Sequence, residues 1–331
     1  MKLGVSYFGN RIPEHFIRQD LPEIVNAGCT FALHTFSEDD LAHYHGSVRK
    51  MVQASKDAGL EVYIDPWGVA GAFGGETFSR FLLDHPEAWQ RDASGTPVPL
   101  PCPNAPALYS FMDQWLDAAA GLGADVLFWD EPHFAKDAVG VACHCAVCQR
   151  TYEECYEAPL PAHATPQLAR FQEDSLLRFV THLCQQGASR GMRNALCLLP
   201  FDSPTHGLQH WERAAAIPHL DILGVTPFWH LRGFPVDTYL REWSAKVRDL
   251  AAANGLEAQV WLQAFLIDQG REPEVEAAAR AACEAGIRNI AAWGFQGCGH
   301  MTALRPHQPE AVWNAVKRSF ASLSDNSPRQ P

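Results

Sequence analysis

The sequence predicts a single (β/α)8 TIM barrel with long loops after its third and fourth strands, and three observations carry that prediction. Eight short apolar runs recur along the chain, each separated from the next by a helical or mixed segment; this alternation builds a parallel sheet covered by helices. The runs end in chemically unusual residues, such as Asp65-Pro66-Trp67 and Asp130-Glu131-Pro132, as expected where C-terminal strand ends form the functional face. Finally, 331 residues with 47% apolar content suffice for one barrel of about 250 residues with elaborated loops. The expected domain is 1–323, followed by a polar tail at 324–331 that reads as disordered.

The first run, Leu3 to Tyr7, leads through Phe8-Gly9-Asn10-Arg11 into a helix over about Pro13 to Ala27. Phe16, Ile17, Leu21, Ile24 and Val25 keep helical spacing there. The second run, Thr30 to Thr35, carries His34 near its end, and the helix from Asp39 to Ala58 stops at Gly59, a normal C-terminal residue. The third, Glu61 to Ile64, ends in Asp65-Pro66-Trp67-Gly68. A long connection follows, with a helix expected at Glu76 to Leu83 and a turn at Asp92-Ala93-Ser94-Gly95, and connections of this length are usually functional or disordered. A helix from about Ala107 to Ala120 then feeds the fourth run, Val126 to Trp129.

A second long connection, Pro132 to about Pro166, precedes a helix over Gln167 to Arg190. The remaining strands are expected at Ala195 to Leu199, Ile222 to Val225, Ala258 to Leu262 and Asn289 to Ala292, with a closing helix from Pro309 to about Leu323. Composition narrows the partners. The formal charge of −12, from 26 basic and 38 acidic residues, disfavours nucleic acid and anionic membrane surfaces. No apolar stretch approaches the length of a membrane span, and no signal-like segment follows Met1-Lys2, so a cytoplasmic protein is expected.

Two constellations carry chemistry. The fourth run ends in adjacent carboxylates, Asp130 and Glu131, placed where a barrel does catalysis; the plainer alternative is a pair of loop acids capping the next helix. Shortly after come Cys143, Cys145 and Cys148, and the loop before them in barrel order supplies Cys102. Four thiolates make a closed tetrahedral zinc site, structural because no position stays open. His144 competes as fourth ligand, and reduced thiols without metal remain the alternative. The other cysteines are scattered and read as core or loop thiols.

Cys102, Glu131, Cys143, Cys145 and Cys148, in that order, resemble the arrangement of family 42 glycoside hydrolases, β-galactosidases with a four-cysteine zinc site in their barrel. His85-Pro86-Glu87-Ala88-Trp89 and Pro101-Cys102-Pro103-Asn104 look like segments of related glycosidase-like barrels. The resemblance covers mainly residues 60 to 155. It implies Glu131 as general acid/base and a homo-oligomer, a trimer, as an allowed assembly. The family's nucleophile is a glutamate ending strand seven, where this chain offers Val260-Trp261-Leu262-Gln263 and no acid.

Asparagine usually precedes the acid/base in that superfamily, whereas Asp130 stands here. A carboxylate accepts hydrogen bonds and suits a substrate N–H at carbon two, as in hexosaminidases whose substrate acetamido group is the nucleophile. Asp65 and Asp202 are the alternative second carboxylates of an inverting enzyme. Tyr7, Trp67, Phe228, Trp229, Phe265, Trp293 and Phe295 are expected to wall a carbohydrate pocket, with His34, His133, Gln263 and Gln296 as polar contacts. The expectation is therefore a glycosidase, with a non-catalytic carbohydrate-binding barrel as the rival that Gln263 favours.

Overall fold

A computed structural model describes residues 1–74, 78–135, 142–200 and 208–325. Eight parallel strands close into a barrel: β1 Lys2–Tyr7, β2 Phe31–Thr35, β3 Glu61–Asp65, β4 Val126–Asp130, β5 Arg193–Leu198, β6 Ile222–Val225, β7 Glu257–Gln263 and β8 Asn289–Trp293. Each strand pairs with its neighbours in sequence, and β1 closes the ring against β8, with Leu3 opposite Ile290. Helices cover the outside, among them Pro166–Ser189, Val236–Asn254, Pro273–Glu284 and Pro309–Asp325. The last of these runs two residues past the expected domain end. No helix among the described residues is long and apolar enough to cross a membrane.

The strands are buried on both faces, so their side chains divide by pleat alone. On β4, Leu127 and Trp129 pack under the helices while Val126 and Phe128 fill the barrel. The interior is built from rings: Phe31 stacks on Tyr63 at 4.7 Å between centroids, and Phe128 meets Trp261 edge-on at 5.0 Å. Such a filled interior is a packed core and leaves no axial channel.

Below the rings the barrel is closed by charges. Lys2 Nζ lies 3.2 Å from Glu61 and 3.0 Å from Glu257, and Arg193 reaches the same two carboxylates at 2.9 and 3.3 Å. Asn289 Nδ2 donates to Glu257 Oε1 at 2.8 Å, and its Oδ1 accepts from Gln259 Nε2 at 3.0 Å. Signs alternate around this end.

The long connection after β3 contains something the sequence did not announce. Trp89–Arg91 and Pro97–Pro101 form a two-stranded antiparallel hairpin around the expected Asp92–Gly95 turn. Proline-rich Pro97-Val98-Pro99-Leu100-Pro101 reads poorly as a strand, since proline cannot donate to a ladder. The expected helix at Glu76 to Leu83 is observed as Arg80–Asp84, with Ser79 capping Leu82 N at 3.1 Å. Residues 75–77 lie outside the described parts. After Cys145, Ala146–Tyr156 forms a further helix, which carries Cys148 in its first turn.

Candidate active site at the barrel mouth

Asp130 is the last residue of β4 and, by the pleat, points into the barrel. On a continuing strand Glu131 would point the other way. Its φ of +46° breaks the alternation, and both carboxylates line one cavity of about 550 Å³. Few residues with a side chain adopt that left-handed conformation. Backbone bonds hold the turn: Glu131 N donates to Cys197 O at 3.1 Å, and Gly74 N donates to Asp130 O at 2.9 Å. The Thr226 hydroxyl, just past β6, donates to Glu131 Oε1. Gly74 lies so close that a Cβ there would sit 2.2 Å from Asp130 Oδ2.

A third carboxyl lies beneath. Asp65 ends β3, is fully buried, and neither of its oxygens has a hydrogen-bond partner among the described residues. Burial raises its affinity for a proton far above that of an ordinary aspartate, and Asp130 and Glu131 add to the effect. Asp130 is raised too, by burial first and then by Glu131. The three acids therefore oppose one another's ionisation in a poorly solvated place.

The cavity walls are aromatic. Trp67 and Trp293 face it, with Phe8 edge-on to both at 5.0 and 4.9 Å, and Phe228 meets Phe265 at 4.9 Å. The segment Met301–Leu304 closes one side. This segment, Gly74 and Thr226 are not among the residues expected from the sequence; a threonine directly after an apolar run, as in Val225-Thr226, is the signal available for the last.

Several expected contacts are placed elsewhere. Tyr7 and His34 lie on outward faces of β1 and β2: Tyr7 donates to Asp20 at 2.5 Å, and His34 Nε2 pairs with Ser55 Oγ at 3.0 Å. Burial lowers His34 to about 3, so it is a neutral core group. Trp229 is fully buried under the helices and donates to Glu274 at 2.8 Å. Phe295 packs outside the barrel against Tyr7 and Trp313. Gln296 is on the surface, bonded to Glu23 at 2.8 Å. Gln263, at the position of the missing acid, is also buried and engaged, since its Oε1 accepts from His230 N and Leu231 N, both at 3.1 Å, while Nε2 donates to Phe265 O at 2.9 Å. It holds the loops after β6 and β7 rather than facing the cavity. His133 Nδ1 meets Glu131 O at 2.6 Å. Asp202 lies outside the described residues.

The cysteines do converge. Cys102, Cys143, Cys145 and Cys148 are buried, with all four sulfurs within 4.8 Å of one another. Four sulfurs about 2.3 Å from a tetrahedral ion lie roughly 3.8 Å apart, so the donor set fits a closed metal site. Asn104 supplies two further contacts, from N to Cys102 Sγ and from Nδ2 to Cys148 Sγ, both at 3.4 Å, as expected around thiolates. Asn104 is itself fixed by Ser175 at 2.9 Å and Arg178 at 3.3 Å. His144 stands outside this set; its backbone N–H donates to Arg91 O at 2.8 Å.

No protein-family model and no curated protein matches the sequence. Solved structures share the fold. An endo-1,4-β-mannanase from Rhizomucor miehei superposes with a TM-score of 0.65 at 8% identity, over 98% of this chain and 95% of that one. A putative α-L-fucosidase from Bacteroides thetaiotaomicron gives 0.56 at 7% identity, over 98% and 93%. A D-psicose 3-epimerase gives 0.52 at 10% identity, over 97% and 98%. At these identities the likeness is one of fold.

Proposed function

We propose that this barrel hydrolyses a glycosidic bond, with Glu131 as general acid/base and Asp130 addressing the substituent on carbon two of the sugar. The observation that carries the proposal is the left-handed turn at Glu131, which brings two consecutive carboxylates to one aromatic-walled cavity. That three similar folds belong to sugar-processing proteins by name supports the substrate class.

Gln263 is committed to backbone partners, and Asp65 does not line the cavity, so a nucleophile supplied by the substrate fits this site best. An acetamido oxygen attacks the anomeric carbon as its bond to the leaving oxygen breaks, and Glu131 gives its proton to that oxygen. Glu131 then takes a proton from water, which adds to the same carbon and releases the acetamido group. Asp130 accepts from the acetamido N–H. Positive charge developing there supplies the counter-charge that burial and Glu131 deny Asp130, so the attraction is strongest in the transition state.

The cysteine cluster is proposed to hold a structural zinc through Cys102, Cys143, Cys145 and Cys148, stapling the loops after β3 and β4; with four sulfurs bound, the ion would take no part in the chemistry. Protein purified without chelator should contain about one zinc per chain on that four-thiolate argument.

The test is a panel of aryl glycosides with and without a 2-acetamido group, run beside Glu131→Gln and Asp130→Asn. Turnover of acetamido sugars, lost in Glu131→Gln and cut most by Asp130→Asn on those sugars, is expected. Equal effects of Asp130→Asn on 2-hydroxy and 2-acetamido sugars would remove the substrate-assisted step. Ligand affinity without turnover would favour the rival that Gln263 supports, a carbohydrate-binding barrel.

A further inference from the structure

The strip of residues 88–91 is bonded both to the cysteine cluster and to the Glu131 segment. Cys102 donates its backbone N–H to Ala88 O at 2.8 Å, and His144, between Cys143 and Cys145, donates to Arg91 O at 2.8 Å. Both arms of the cysteine cluster are thus tied to this one strip. In its middle Gln90 is buried, with its amide engaged in two directions. Nε2 donates to Pro101 O at 2.9 Å, and Oε1 accepts from Ala135 N at 3.1 Å. Pro101 precedes Cys102, and Ala135 follows Glu131 by the short stretch Pro132-His133-Phe134.

We propose that Gln90 is a positioning residue that fastens the Glu131 segment to the cysteine cluster, so that closing the cluster also steadies the acid. The inference rests on Glu131 being the acid/base, and it adds a structural reason for the cluster to lie beside the site.

Glu131 needs holding on both sides. Its φ of +46° persists only where the surroundings fix the backbone. Upstream, Cys197 O and Gly74 N supply that. Downstream, the Ala135 N–H on Gln90 does. A primary amide is the side chain for this task because it donates and accepts at once; glutamate only accepts, and methionine of similar length does neither strongly. With its partner removed, the buried Ala135 N–H would be left unpaired, and the segment would open more often.

The experiment is hydrogen exchange across residues 128–135, read in zinc-loaded and chelator-treated protein. In the wild type, zinc should slow exchange in this segment. In Gln90→Met, exchange should be about tenfold faster and indifferent to zinc, with zinc content unchanged. Gln90→Glu, which keeps the acceptor for Ala135 but loses the donor to Pro101, should retain part of the protection and lose the response to zinc. An equal zinc response in wild type and Gln90→Met would overturn the proposal, as would a zinc response of wild-type size in Gln90→Glu. Should Gln90→Met fail to fold, Gln90→Asn, too short to span both partners, takes its place under the same criteria.

Turnover separates this from the reading of Glu131. On a hydrolysed glycoside, Gln90→Met should lower kcat about tenfold and leave KM within about twofold, with partial rescue in Gln90→Glu. If Glu131→Gln leaves turnover intact, the acid/base assignment falls, and the exchange data still decide whether the strap exists.

Discussion

The two ends of the barrel handle charge in opposite ways. At the bottom, Lys2 and Arg193 alternate with Glu61 and Glu257, and every carboxylate has cationic partners. At the mouth, Asp65, Asp130 and Glu131 crowd together, and Asp65 has no hydrogen-bond partner among the described residues. An arrangement selected for stability alone would resemble the bottom, because unpaired buried polar groups cost about 1–3 kcal/mol each. The mouth keeps like charges where they are unfavourable, which is what a site poised to receive charge from a ligand requires. The contrast is a physical argument for function that needs no relative to support it.

The largest expected effect tests whether the mouth is chemical. Glu131→Gln should lower the rate at least about a hundredfold while leaving the melting temperature close to that of the wild type; steady-state kinetics with calorimetry checks both. A large stability loss with little rate loss would make the mouth resemble the bottom, and the comparison would break.

Next comes Asp65→Asn, which should stabilise the protein by about 1–3 kcal/mol at neutral to mildly alkaline pH, since the buried carboxyl among like charges must hold a proton that the unfolded chain releases. Because the folded-state affinity of Asp65 for protons is raised, its contribution to stability is fully present below its unfolded value near pH 4 and is lost as pH rises through the raised folded value. The gain in Asp65→Asn should therefore be smallest near about pH 4 and grow with pH in urea unfolding series.

Smaller effects belong to the bottom. Arg193→Met should cost no more than about 1 kcal/mol, since its partners keep Lys2 and the pairs are partly solvated. Turnover should be unchanged. The smallest effect carries the opposite sign on the pH axis. Burial works to raise Glu257, but Lys2, Asn289 and Arg193 outweigh it and hold the carboxyl below its usual range. Its contribution is present above the unfolded value and lost as pH falls through the folded one. Glu257→Gln should flatten the stability loss below about pH 4 and leave the rising side to Asp65.

What was legible in the sequence divides along similar lines. Apolar runs and helical spacing placed all eight strands, because burial of both faces leaves a continuous apolar signature. The cysteines and Asp130-Glu131 were legible because close spacing or a strand end determines where such residues meet. Tyr7 and His34 were not. Whether a residue at a strand end faces the axis or the helices depends on the pleat, and in a strand apolar on both sides nothing in the pattern marks the pleat: Tyr7 follows Leu3 and Val5 outward, while the smaller Gly4 and Ser6 take the inner positions. Thr226, Gly74 and Gln90 escaped notice for another reason. Each matters through partners distant in sequence, and their residue types alone carry no such information.

The packed rings beneath Asp65 bear on how the site is prepared for a ligand. With Phe31, Tyr63, Phe128 and Trp261 filling the barrel, the open side for Asp65 is toward the mouth, where Asp130 and Glu131 line the cavity. A ligand covering the cavity would cork that side. While the cavity stays covered, Asp65 would keep the protonation state it had when the barrel was last open.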